Sequence, residues 1–128
     1  MGIYSDKVEQ IFFNAYIECA LWSSIDEKTG EPMDKNYSIN DFDRDDLKYL
    51  HDEAIQFFNE NIDLINEAPE NYNYENAGHD YWLTKNGHGA GFWDGDLTKV
   101  LGDKLTEKAE NTAAIDLYIG DDNKVYYI

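Results

Sequence analysis

Residues 77–95, "AGHDYWLTKNGHGAGFWDG", decide how this chain is read. They contain two of its three histidines, two of its three tryptophans and five of its nine glycines. Asn86-Gly87 is a two-residue turn signal, because both residues tolerate positive φ. It predicts a β-hairpin of strands 79–85 and 88–94. In that register Trp82 faces Gly91 and Thr84 faces Gly89, with an aromatic ring covering a strand glycine. Tyr81 and Leu83 would share the other side with Ala90 and Phe92.

The hairpin constrains the chemistry. It places His79 at the open end and His88 at the turn, about 20 Å apart at strand rise. One zinc ion needs its ligands at about 2 Å, so the pair predicts no metal site. His79, Asp80 and Asp94 meet at the open end as a candidate ligand site. No nucleophile or oxyanion donor accompanies the His79-Asp80 step. Gly87, Gly89 and Gly91 are followed by Phe92, Trp93 and Asp94. A phosphate loop would instead open into a helix with a Lys and a Ser or Thr. No cofactor is predicted.

Outward from this block, "SDKVEQIFFNAYIECALW" (5–22) reads as a helix with Val8, Ile11, Phe12, Ala15, Cys19 and Trp22 on its apolar face. Cys19 is predicted to be a small buried hydrophobe. Residues 23–40 hold Gly30 and Pro32 and read as a loop, long enough to be mobile or functional. A second helix spans about Asp43 to Glu67. Ser38 with Asp41, or Asp43 with Asp46, marks its start, and Pro69 its end. His51 is predicted to pack with one ring nitrogen bonded, and Asn61, inside the apolar face, to need partners. Residues 97–110 predict a shorter helix, capped by Asp96, with Leu97, Val100, Leu101 and Leu105 inward. Segments 114–119 and 124–128 flank "GDDN" as a second hairpin. The order α-α-β-hairpin-α-β-hairpin is an α+β class, with helices packed on a small antiparallel sheet in a single domain over 1–128.

Charge narrows the partners. The chain carries 27 acids and 10 bases, a net charge of −17. Residues 41–70 alone hold ten acids and two bases. Phosphates and anionic membranes require the opposite sign, so direct nucleic-acid or membrane binding is disfavoured. A basic protein surface that itself binds nucleic acid is the favoured partner. On the second helix Asp45, Asp52, Glu60, Asp63 and Glu67 fall within an arc of about 80° opposite the apolar half. The stripe is about 33 Å long. Its charge spacing of about 7 Å is sparser than the 1.7 Å of a DNA duplex, and a symmetric homodimer would raise the density. "DFDRDDLKYLHD" only imitates a calcium loop. The glycine due at its sixth position is Asp46, and the glutamate due at its twelfth is Asp52. One cysteine and the absence of a basic-then-apolar leader in "MGIYSDKVEQ" point to a reducing cytoplasm.

The block at 77–95, with "LGDKLT" and "LYIGDDNKVYYI" after it, resembles a family of small uncharacterised proteins of bacteriophages and related mobile elements. The resemblance covers residues 77–128 and lends no catalytic residues. It implies a phage accessory protein in a bacterial host cytoplasm. The resulting expectation is a non-enzymatic inhibitor of restriction or CRISPR defence, acting by DNA or RNA mimicry. A small metal-dependent enzyme or ligand-binding protein using His79, Asp80 and Asp94 is the alternative.

Overall fold

The computed structural model describes residues 3–87, 90–92 and 97–128, with side chains from residue 7 onward. Helix α1 (Ile3–Ser23) leads into a small antiparallel pair, β1 (Ile25–Asp26) and β2 (Glu31–Pro32). Two 3-10 turns, Met33–Lys35 and Ile39–Asp41, precede helix α2 (Arg44–Asn66). Helices α3 (Tyr74–Lys85) and α4 (Lys99–Glu110) follow, and β3 (Leu117–Ile119) pairs antiparallel with β4 (Val125–Tyr127). The class is α+β. No helix among the described residues is long and apolar enough to cross a membrane.

The main departure from expectation is residues 79–85, which are helical rather than a strand. Asn73 and Asn76 start this helix with a reciprocal cap, each side chain accepting the other's backbone N–H. Its residues are buried on almost every side: Ala77, Gly78, Asp80, Tyr81, Trp82, Thr84 and Lys85. A helix enclosed in this way has no polar stripe, so periodicity does not reveal it. The Asn-Gly step serves as a helix stop. Gly87 has φ +68°, the left-handed conformation that commonly ends helices. The Asn86 amide donates to Trp82 O and accepts from Ile115 N, tying the stop to the C-terminal segment. Residues 88, 89 and 93–96, including the rest of the expected second strand and the Asp96 cap, lie outside the described residues. Thr98 caps α4, accepting from Leu101 N.

Packing runs mainly between helices, not from helices onto a common sheet. Helix α1 is central, with Phe12, Phe13, Ala15, Tyr16, Ile17, Cys19, Ala20 and Leu21 all buried. Ile11 and Trp22, expected inward, are exposed, because the buried arc of α1 is broad and leaves only their side to solvent. Gly78 allows α3 to lie close against α1: a Cβ there would sit 2.3 Å from Phe12 O and 3.0 Å from the Ala15 Cβ. On the other flank Phe12, Phe57, Phe58, Tyr81 and Phe92 form an aromatic core, with Phe57 and Tyr81 stacked at 3.8 Å. Such pairs add about 0.5–1.5 kcal/mol beyond burial. Phe92 N donates to Thr84 Oγ1, folding residues 90–92 back onto α3.

Both start signals ahead of α2 are used. Ser38 and Asp41 cap the 3-10 turn, and Asp43 caps α2 by accepting from Asp46 N. The C-terminal hairpin docks at this end. Asp43 N donates to Val125 O, Tyr127 N donates to Asp46 Oδ2, and Tyr49 stacks on Tyr127. Segment 23–40 is an ordered strap, with Asp26 and Met33 buried. In α4, Val100 faces solvent while Leu101, Leu105 and Ala109 pack inward.

Candidate functional site

Helix α2 separates two kinds of carboxylate. Its outer face carries Asp45, Asp52, Glu60, Asp63 and Glu67, all exposed. A 23-residue helix with caps at both ends holds them in a line. The stripe is largely unneutralised: Lys48 pairs with Asp52 at 2.7 Å, and Glu60 accepts from the Gln56 amide. Hydrogen bonds from Lys48 and then His51 hold the Asp52 carboxyl below the ordinary carboxylate range. The His51 ring also packs edge-on against Phe13, so its role is packing with one nitrogen engaged. Asn61 is buried and donates to Phe57 O.

The inner face carries Glu53. Its carboxylate accepts from the Tyr16 and Tyr81 hydroxyls and from Lys85 Nζ at 2.6 Å. Lys85 has a fully buried side chain, and its ammonium lies 4.9 Å from the Tyr81 ring centre and 5.6 Å from that of Tyr16. Burial pulls the Lys85 ammonium below the ordinary lysine range, and Glu53 offsets part of that. Burial, then the Glu53 charge, push both tyrosyl hydroxyls above theirs. One carboxylate thereby ties α1, α2 and α3 together. The cluster borders a recess of about 180 Å³ that includes Gln56, Glu60 and Thr112.

These two residues escape a reading by pattern, although each leaves a trace. Lys85 is the sole Lys or Arg between positions 49 and 98. Glu53 falls at the border of the apolar half of the α2 wheel, about 100° from Asp52.

The structure parts the expected ligand group. His79 is half-exposed on the outer side of α3, with Nε2 3.9 Å from Glu18 Oε1. Asp80 points the other way, buried, and accepts from the Tyr72 hydroxyl at 2.6 Å. Helical geometry separates such neighbours by about 100°, whereas the strand model had placed the group at one hairpin end. Asp94, like His88, lies outside the described residues. Among the described residues no three His, Cys, Asp or Glu side chains gather to hold a metal ion. Cys19 is buried, and burial followed by the Asp80 charge pushes its thiol up to about 12, so it is not a thiolate nucleophile at neutral pH.

A larger cleft of about 870 Å³ lies on the far side of α1. Asn14, Glu18 and Trp22 of α1, His79 and Leu83 of α3, and the strap residues Asp34 and Tyr37–Ile39 line it. It was not anticipated, because it forms only where three segments distant in sequence cross. No protein-family model, curated protein or solved structure matches the chain.

Proposed function

We propose that this chain is a non-enzymatic, phage-type accessory protein that binds a basic, nucleic-acid-binding surface of a bacterial host protein, blocking restriction or CRISPR defence by electrostatic mimicry in the host cytoplasm. The supporting observation is the outer face of α2, where Asp45, Asp52, Glu60, Asp63 and Glu67 stand exposed in one line and, among the described residues, Lys48 is the one lysine or arginine ion-paired to it. Like charges held on a rigid helix raise the local potential and attract a positive surface without requiring a close-fitting pocket. The same arrangement repels nucleic acid itself.

Association of this kind is fast, steered and sensitive to salt. Immobilised protein should therefore retain a host protein from bacterial lysate at about 50 mM salt and release it as the Debye length shrinks to about 3 Å near 1 M. The captured protein should bind DNA or RNA in its free state. The Glu60→Lys/Asp63→Lys/Glu67→Lys variant should capture nothing of the kind. Capture that survives 1 M salt, or that is unchanged in the variant, contradicts the proposal.

A further inference from the structure

We propose that the cleft beside α1 is a binding site for a small organic cation with an apolar or aromatic body. Its volume of about 870 Å³ lies in the range of small-molecule sites, roughly 300–1,000 Å³. Its walls are mainly apolar: Ile17 and Leu21 of α1, Ile39 of the strap and Leu83 of α3. Its charges have one sign. Glu18 and Asp34 line it, and among the described residues no Lys or Arg does. Lys35, next to Asp34 in the strap, is ion-paired with Glu31.

Two further features suit a ligand nitrogen. The Glu18 carboxylate is exposed at the cleft and stands 3.9 Å from His79 Nε2, beyond hydrogen-bond reach, so it can accept a ligand N–H. Trp22 and Tyr37 supply aromatic faces at the cleft, and indole is the best of the side-chain rings for attracting a cation. Trp22 is 61% exposed, a large apolar surface that a bound ligand would remove from water.

The cleft is independent of the α2 stripe. Phe12, Phe13 and Tyr16 of α1 face the α2 side, and Asn14 and Glu18 lie roughly opposite at about 100° per residue. The occupant is therefore a molecule distinct from the basic protein partner proposed above, and either proposal can fail alone.

A matched probe set separates charge from shape: 2-phenylethylamine, its neutral analogue 2-phenylethanol and its anionic analogue phenylacetate, titrated into the full chain by calorimetry and amide NMR. The amine should bind saturably at one site, at least tenfold tighter than the alcohol, with phenylacetate not binding. Shift changes should centre on Glu18, Trp22 and His79. The Glu18→Gln/Asp34→Asn variant should reduce the amine to the affinity of the alcohol. Glu110→Gln, which makes the net charge one unit less negative at an exposed residue outside the cleft lining, should leave the probe affinities unchanged. Equal affinity for amine and alcohol, no saturable binding of any probe, or an amine preference that survives Glu18→Gln/Asp34→Asn would each overturn the assignment.

Discussion

Asp52 and Glu53 are consecutive residues of one helix, and their surroundings differ in every respect that matters. Asp52 is exposed and pairs with an exposed lysine one turn away. Glu53 is largely enclosed, with two tyrosyl hydroxyls and a fully buried lysine as donors. Water screens the first pair, and such contacts contribute little to stability. The second pair is largely withdrawn from water, so losing one partner leaves a poorly solvated charge. The same acid chemistry therefore ties three helices together at Glu53 and stands in water at Asp52, a step of about 100° round the helix.

The largest effect should come from the inner face. Glu53→Ala leaves the Lys85 ammonium and two hydroxyls without their acceptor, at a cost of about 3–5 kcal/mol. Urea unfolding measures it. Lys85→Met should cost less, since Glu53 keeps its tyrosyl donors and the methionine fills the space. Equal losses in the two variants would contradict Glu53 as the centre of the cluster.

Gly78→Ala should cost about 1–3 kcal/mol by forcing α3 away from the Phe12 carbonyl. It also tests whether Lys85 depends on this close approach to reach Glu53. Thermal unfolding and the Tyr81 ring resonances report both effects.

Alkaline pH should loosen the interior before it affects the outer face. Cys19, Tyr16 and Tyr81 all have raised folded-state pKa values. The unfolded chain releases these protons first, so their contribution is complete below the unfolded values and is lost as pH rises towards the folded ones. The loss begins near pH 9 for Cys19 and near pH 10 for the tyrosines, at about 1.4 kcal/mol per pH unit for each fully ionised group. Lys85 opposes it. Its lowered value makes the folded state shed a proton first, so its contribution rises with pH up to the unfolded value. Between about pH 9 and 10 Cys19 and Lys85 oppose each other, and above about pH 10 three groups against one gives a net fall. Melting temperature should therefore decline from about pH 10, and Cys19→Ala should make the decline shallower.

The smallest effect should be on the outer face. Glu60→Lys/Asp63→Lys/Glu67→Lys places cations near the C-terminal end of α2, where the helix dipole favours them and no basic residue now stands. Its unfolding free energy should stay within about 0.5 kcal/mol of the parent or rise slightly, as for surface substitutions generally.

The same division explains what could be read from the sequence. The outer stripe needs only the helical period, so Asp45, Asp52, Glu60, Asp63 and Glu67 were legible from the α2 segment alone. The caps at Ser38 and Asp43 and the C-terminal hairpin were legible from local chemistry. Residues 79–85 were not, because a helix buried on nearly all sides carries no amphipathic pattern, and Asn86-Gly87 suits a hairpin turn and a helix stop equally well. The Glu53–Lys85 pair joins residues 32 positions apart and exists only once α3 is helical and lies on α1. The cleft around His79 likewise depends on that crossing and on the strap.

The most direct test titrates the parent protein and Glu60→Lys/Asp63→Lys/Glu67→Lys into DNA-cleavage reactions of a panel of restriction and CRISPR effector enzymes at graded salt. The account predicts that the parent inhibits at least one enzyme, that inhibition fades as salt rises, and that the folded triple variant does not inhibit. Absence of inhibition across the panel, or equal inhibition by the triple variant, would contradict it.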